Sequence, residues 1–217
     1  MNIEQARFNM IKQQIRPWDV LDAGVLSLLA VVKREDFVPA AFRALAFVDT
    51  EVPLPGGQQM LVPRVEARLL QELKVARHEK VLEIGTGSGF MAALLGHRAQ
   101  RVFSLEILPE LVSLATENLK RAGVMNVTVL AQDGAQGLPE EEPFDVILLS
   151  GSVAEVPATL LKQLKVGGRL AAIVGDEPVM RAQLISRVGE NDFSTRDLFD
   201  TVAPRLSGFV AHSAFVF

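Results

Sequence analysis

An apolar run that ends in three glycines at alternate positions is the feature that most constrains how this chain can fold. The residues from Val81 to Ile84 predict a buried strand, those from Gly85 to Gly89 a tight loop, and those from Phe90 to Leu95 the start of a helix. Glycine adopts positive φ and lets the backbone approach a ligand closely, so this strand, loop and helix predict a nucleotide-cofactor turn. A glycine-rich turn with no ligand is the alternative, because such a motif alone is a weak signal.

The spacing of the glycines distinguishes two cofactor classes. A dinucleotide fingerprint requires G-x-G-x-x-G, whereas here the third glycine comes one position early and Phe90 stands in the expected place. An acid at the strand end followed by G-x-G-x-G instead resembles the S-adenosylmethionine-dependent methyltransferases of the Rossmann-like class. That resemblance implies S-adenosyl-L-methionine as cofactor, bound by the strand end and loop residues Glu83, Gly85, Thr86, Gly87, Ser88 and Gly89.

Polar residues also follow the later strands, at the edge where open α/β sheets bind ligands. Glu106 ends a second strand about 20 residues beyond the first glycine, where a carboxylate can accept hydrogen bonds from both ribose hydroxyls. Asp133, before Gly134, is a candidate for the adenine amino group, with an ordinary Asp-Gly turn as the alternative. Ser150 ends a nearly all-apolar fourth strand, whose exit is the predicted site of methyl transfer.

The alternation of strand and helix patterns predicts an α/β fold with a parallel sheet, and the resemblance of the glycine loop implies that this fold is of the Rossmann-like, class I methyltransferase type. We expect a mostly parallel twisted sheet with helices on both faces and an antiparallel C-terminal hairpin. The hairpin strands are predicted at 179–188 and 193–202, and residues 208–217 are a candidate for a last edge strand. A turn is predicted at 166–168, before a fifth strand at 169–174.

Length and composition fit one domain. A chain of 217 residues with 49% hydrophobic content can bury a substantial core. We expect an N-terminal helical and lid region at 1–75, a cofactor-binding core at 76–175 and C-terminal strands at 176–217. The lid candidate is the proline-rich segment 37–62, because long irregular segments in compact domains are usually functional or disordered.

Charge and residue usage exclude several kinds of partner. The net charge of −4 gives no electrostatic reason to expect a nucleic acid. The polar N-terminus does not resemble a signal peptide and the longest apolar patch, Val25 to Val32, is too short to span a bilayer, so we expect no membrane partner and a cytoplasmic location. Absence of cysteine excludes thiolate chemistry, and the scattered His78, His97 and His212 predict no metal site. Nothing in the pattern selects an oligomeric state.

Taken over nearly its full length, the chain resembles the protein-L-isoaspartate O-methyltransferases. The matching stretches are Arg34 to Pro39, Ala46 to Asp49, Pro53 to Pro55, Val81 to Phe90, Leu105 to Ile107, Asp133-Gly134 and Leu164 to Leu170. The resemblance implies repair of aged proteins by methylation of the α-carboxylate of L-isoaspartyl residues. It therefore implies a protein or peptide carboxylate as acceptor. It also adds Ile107 and Gly134 to the cofactor contacts.

One departure concerns the acceptor loop. The family typically has G-Q-T-I-S-x-P, with the serine in the active-site role, whereas residues 57–63 here are G-Q-Q-M-L-V-P. Leu61 has no hydroxyl, so the catalytic residue stays open. Gln58, Gln59 and Arg64 are candidates for the missing hydrogen-bond donor. Two alternatives follow: a methyltransferase for another acceptor, such as a small-molecule acid or hydroxyl, and a non-catalytic module that binds S-adenosylmethionine.

Overall fold

The computed structural model describes residues 2–210. Its α-helices are α1 (Ile3–Asn9), α2 (Ala23–Val31), α3 (Pro63–Leu73), α4 (Phe90–Arg98), α5 (Pro109–Arg121) and α6 (Ala158–Lys162). Its strands are β1 (Val52–Pro53), β2 (Gln59–Met60), β3 (Lys80–Ile84), β4 (Arg101–Glu106), β5 (Val127–Ala131), β6 (Phe144–Val153), β7 (Leu164–Asp176), β8 (Val179–Arg187) and β9 (Phe193–Thr201). Most of the candidate edge strand at 208–217 lies outside the described residues.

A seven-stranded sheet forms the centre of the molecule, in the order β5-β4-β3-β6-β7-β8-β9. The first five strands of that order pair in parallel, and β7, β8 and β9 pair antiparallel. Two clusters of buried apolar side chains are built on the sheet, one with the N-terminal helices, α3 and α4, and one with α6 and the segment at Leu138. The predicted fold class is thus confirmed, including the C-terminal hairpin.

Two predicted boundaries differ from the structure. The fourth strand continues to Val153 rather than ending at Ser150, because its carboxyl end pairs with Ile173 and Val174 of β7. The predicted turn at 166–168 is wrong: these residues belong to β7. A register shift there sets Phe144 opposite Leu164, but Val146 opposite Arg169, so the extra residues are accommodated as an irregularity inside the strand.

The segment between α2 and α3 is more ordered than its sequence suggests. It contains a 3-10 helix at Ala40–Phe47, and β1 and β2 pair as a short antiparallel ladder. Leu54, between those strands, lies so close to the glycine loop that a Cβ added to Gly87 would be 3.3 Å from its Cδ1. This segment therefore lies against the carboxyl end of the sheet, where the predicted site residues gather.

Candidate active site

The glycine loop has the backbone conformation that its sequence predicts. Gly85, Gly87 and Gly89 adopt φ values of 91°, 54° and 84°, which side chains disfavour. A Cβ on Gly89, the N-cap residue of α4, would lie 3.3 Å from the backbone of Ala115 in α5. The glycines therefore permit both the turn itself and the close packing of α4 against α5.

Glu106 is connected to this loop directly. Its Oε2 accepts a hydrogen bond from the backbone N–H of Gly87 at 2.9 Å, and its Oε1 accepts one from Leu108 at 3.1 Å. The residue is 6% exposed and its side chain lines a cavity beside the loop. The carboxylate thus fixes the loop and still has acceptor lone pairs for a ligand.

Glu83 lies at the centre of the sheet and is fully buried. Ser150 donates a hydrogen bond to its Oε1 at 2.7 Å, and Ser104 donates one to its Oε2 at 2.6 Å. Burial raises the pKa of Glu83 to about 7, and the nearby acids Glu66 and Glu106 act in the same direction, against the two hydroxyl bonds. Two neighbouring strands thus orient this carboxyl group.

A second buried acid, Glu66 in α3, was missed by the sequence analysis. Nε of Arg34 lies 3.4 Å from its Oε2. Burial raises the pKa of Glu66 to about 7, although the Arg34 guanidinium opposes that shift. A signal was present in the sequence: Glu66 is in helical register with Leu69, Leu70 and Leu73, so it had to lie on the apolar face of its helix.

Two cavities meet at the glycine loop, and both are lined by Gly85, Gly87, Gln59 and Ser150. The first has a volume of about 500 Å³, open solvent included, and is also lined by residues from five segments, namely Gln58, Ile84, Leu105, Glu106, Ile107, Leu111, Gln132, Gly134, Leu206 and Ser207. The second, of about 310 Å³, is further lined by Leu54, Met60, Leu61, Glu66, Glu83, Thr86, Ser88, Phe90 and Met91. We call them the loop cavity and the acid cavity.

Not all of the acceptor-loop residues that could replace the family's serine as hydrogen-bond donor line the two cavities. Gln58 and Gln59 line the loop cavity, and Leu61 lines the acid cavity. Arg64 lines neither: it forms an ion pair with Asp49, and its guanidinium carbon lies 4.8 Å from the centroid of the Trp18 ring. The structure therefore already provides partners for Arg64.

Asp133 begins a short 3-10 turn, and its Oδ1 accepts a hydrogen bond from Ala135 N–H at 2.9 Å. Its neighbours Gln132 and Gly134 line the loop cavity. Gly208 packs against the Asp133 carboxylate, since an added Cβ there would lie 2.5 Å from Oδ1. Asp133 is therefore beside the cavity and in contact with the C-terminal segment.

That C-terminal segment is a further part of the site that the sequence analysis missed. Ser152 N–H donates to Pro204 O at 2.8 Å and Leu206 N–H donates to Ser152 O at 2.9 Å, which extends the sheet at the end of β6. A Cβ on Gly85 would lie 2.6 Å from Leu206 Cδ2. The segment thus covers one side of the glycine loop.

His78 and His97 are exposed, and His212 lies outside the described residues. Within residues 2–210 no group of three or more His, Cys, Asp or Glu side chains is arranged to hold a metal ion. No helix in the same range is long and apolar enough to cross a bilayer.

The model of the family "Protein-L-isoaspartate(D-aspartate) O-methyltransferase (PCMT)" matches residues 5–203 of the chain. The chain belongs to this family. A protein-L-isoaspartate O-methyltransferase of Koribacter versatilis is 40% identical over 181 residues, which are 83% of this chain and 81% of the relative. Protein-L-isoaspartate O-methyltransferase 2 of Pelobacter propionicus is 38% identical over 198 residues, or 91% of this chain and 88% of the relative. The predicted family is confirmed.

Solved structures support the fold of this family member. A crystal structure from Plasmodium falciparum, assigned as a protein-L-isoaspartate O-methyltransferase and bound to S-adenosyl-L-homocysteine, aligns with a TM-score of 0.79. It is 21% identical, and the match covers 95% of this chain and 99% of that one. A second structure named protein-L-isoaspartate O-methyltransferase aligns with a TM-score of 0.77 at 24% identity, over 93% of this chain and 66% of that one.

Proposed function

We propose that the protein is an S-adenosylmethionine-dependent O-methyltransferase that methylates the carboxylate of isoaspartyl residues in proteins or peptides. The observation that carries the proposal is the family match over residues 5–203, in a chain whose glycine loop and Glu106 line one cavity together. Neither a small-molecule acceptor nor a non-catalytic role has a comparable observation in its favour.

The residues of the loop cavity fit S-adenosylmethionine. The cavity combines a carboxylate, backbone groups of the glycine loop and apolar side chains such as Leu105 and Leu111, which is the mixture that a nucleoside needs. The left-handed glycines let Leu54 and Leu206 pack close to the loop, since a Cβ on Gly87 or Gly85 would meet these side chains, and they leave the loop's backbone free to approach a ligand. Glu106 would hold the ribose hydroxyls, and Ile107 and Gly134 would flank the adenine. The backbone of Gly85 and Gly87 would lie against the rest of the cofactor. Asp133 stays a candidate for the adenine amino group.

When bound, the cofactor supplies a methyl group on a positively charged sulfur. An isoaspartyl carboxylate, with a pKa near 4, is ionised at neutral pH and needs no general base. The protein's task is therefore to align donor and acceptor and to exclude water, and alignment alone can supply several kcal/mol. Ser150, Gln59 and Gly87 line both cavities, so the junction of the two is where methyl and acceptor would meet.

Transfer of labelled methyl from S-adenosylmethionine to an isoaspartyl peptide tests this proposal, with the aspartyl peptide of the same sequence as control. Labelling of the isoaspartyl peptide alone is the expected result. Tight binding of S-adenosylhomocysteine without transfer to either peptide would contradict the acceptor assignment and would indicate a different acceptor. Failure to bind the cofactor would contradict the proposal as a whole.

A further inference from the structure

The acid cavity contains a carboxyl oxygen that has no hydrogen-bond partner among residues 2–210. Glu66 is buried, with 5% of its side chain exposed, and its Oε2 faces Arg34. Among the described residues no hydrogen bond is made to Oε1, although Glu66 lines the cavity. The other buried acid there, Glu83, has both oxygens occupied by the hydroxyls of Ser104 and Ser150. Glu66 is thus the carboxyl group free to contact a molecule in the cavity.

The charges around Glu66 come from two elements. Arg34, the first residue of a 3-10 helix that follows α2, provides one guanidinium, whose other nitrogens donate to Ala46 O at 3.2 Å and Leu61 O at 2.8 Å. Glu83 provides a carboxyl from β3, and α4 contributes the uncharged Phe90 and Met91 to the same cavity. Two buried carboxyl groups therefore line the cavity, and Arg34 is paired with one of them, Glu66.

An acceptor carboxylate that enters this space would be a third acid. Carboxylates held close together in a low-dielectric site do not all stay ionised, because like charges raise one another's pKa. Burial already raises the pKa of Glu66 and of Glu83 to about 7, so either group takes up a proton near neutral pH. Arg34 favours the charged form of Glu66, as the two hydroxyls favour that of Glu83, so the pKa values do not separate the two acids. The geometry does: both oxygens of Glu83 already accept hydroxyl bonds, whereas Oε1 of Glu66 is open to the cavity and can carry a proton toward a bound molecule.

We propose that Glu66 binds the acceptor as a neutral carboxylic acid whose Oε1–H donates a hydrogen bond to one oxygen of the acceptor carboxylate. Acceptor binding then takes up one proton, and Glu66 supplies the donor that Leu61 lacks. The proposal rests on the proposed function. In the transfer, the other acceptor oxygen forms a bond to the methyl carbon, the carbon–sulfur bond breaks with its electron pair staying on sulfur, and Glu66 keeps its proton.

The consequence is a pH dependence in binding rather than in chemistry. The isoaspartyl carboxylate is ionised at every pH above about 5, so it contributes no titration of its own near neutrality. Above about pH 7, Glu66 of the free protein is ionised. It must then take up a proton when the acceptor binds, and this lowers the affinity for the acceptor. The dissociation constant of the peptide is then expected to rise by up to tenfold per pH unit, while kcat at saturating peptide stays flat.

The decisive variant is Glu66→Gln, whose amide presents a donor at every pH. We expect peptide binding to the S-adenosylhomocysteine-loaded protein, followed by fluorescence anisotropy from pH 6 to pH 9, to lose its pH dependence in this variant. Glu72→Gln is the matched control: Glu72 lies in the same helix but pairs with Arg68 and Arg196, away from both cavities. It should keep the wild-type slope. An unchanged slope in Glu66→Gln, or a flat wild-type profile, would overturn the inference.

A second measurement covers the case in which Glu66→Gln does not fold. Calorimetric titration of the wild-type protein with the peptide at pH 8, in two buffers of different ionisation enthalpy, reports the protons taken up on binding. Uptake close to one proton supports the inference, and zero uptake refutes it. Methyl transfer to the isoaspartyl peptide at pH 6 separates the two proposals: if transfer occurs and the profile is flat, only the role of Glu66 fails.

Discussion

Replacing Glu106 with alanine tests how the site is built around the glycine loop. In the structure its carboxylate accepts backbone N–H bonds from Gly87 at 2.9 Å and Leu108 at 3.1 Å. A bound ribose would add bonds to the same two oxygens. Glu106→Ala would remove the proposed ribose acceptors and also the two hydrogen bonds that hold the glycine loop and Leu108 in place.

The expected loss can be estimated from these bonds. A hydrogen bond to a charged group is worth roughly 1.5–3 kcal/mol, and each 1.4 kcal/mol is a factor of ten in affinity. Loss of one ribose bond and of the loop's fixed position gives about 3 kcal/mol, so the dissociation constant should rise about 100-fold. Glu106→Gln should lose less affinity, because its amide oxygen still accepts one hydrogen bond. Its NH2 group replaces the second acceptor and cannot bond to the backbone N–H that it faces.

Isothermal titration with S-adenosylhomocysteine measures this directly, and circular dichroism shows whether each variant is folded. Glu117→Ala is the control, since Glu117 is an exposed acid in the neighbouring helix and lines neither cavity. A Glu106→Ala protein that is folded and binds within twofold of the wild type would refute the ribose assignment. Equal losses in Glu106→Ala and Glu117→Ala would show that only net charge matters.

Three further predictions concern stability. Gly89→Ala should lower the free energy of unfolding, measured in urea, by about 1–3 kcal/mol more than Gly123→Ala does. Both glycines have positive φ, but only at Gly89 would the added Cβ meet a neighbour, Ala115. Equal losses would refute the packing argument. Arg34→Met should cost about 3–5 kcal/mol at pH 8 by leaving Glu66 buried without its cation, and less at pH 6, where Glu66 can be neutral; a pH-independent loss would contradict this. In the wild type, Glu66 and Glu83 have pKa values of about 7 in the folded state against an ordinary 4.5. The folded state therefore binds more protons than the unfolded state between these values, and their contribution to the free energy of unfolding should fall as pH rises from about 4.5 to about 7; a rise across that window would refute the burial of both acids.

The parts of the site that the sequence predicts are those set by local backbone requirements. Three glycines must occur where φ is positive, and an acid that ends the strand beside them can reach the loop with no help from distant residues. The parallel strands and the hairpin can be predicted for the same reason, because the spacing of apolar residues and the residues that form turns are local properties of the sequence. These elements can be recognised without knowledge of any tertiary contact.

The remaining parts depend on contacts between distant segments. Leu206 lies at the glycine loop because the chain after β9 returns to the end of β6, where Ser152 N–H donates to Pro204 O. No local pattern indicates that return. The turn predicted at 166–168 was wrong because β7 is continuous through these residues, which are accommodated in the register shift between Leu164 and Arg169, where Gly167 has a φ of 87°.

The acceptor side shows why single-residue comparison is not enough. Leu61 looks like the loss of a hydroxyl when the loop is considered alone. In the structure, Arg34 donates to Leu61 O at 2.8 Å and faces Glu66 Oε2 at 3.4 Å, so one guanidinium positions both the loop and the buried acid. Because Leu61 and Glu66 line the same cavity, a hydrogen-bond donor missing from the loop can be supplied by the helix that follows it. If the proposal for Glu66 holds, the acceptor site comprises Arg34, Leu61 and Glu66 together, and the protonation of Glu66 decides how strongly the acceptor binds.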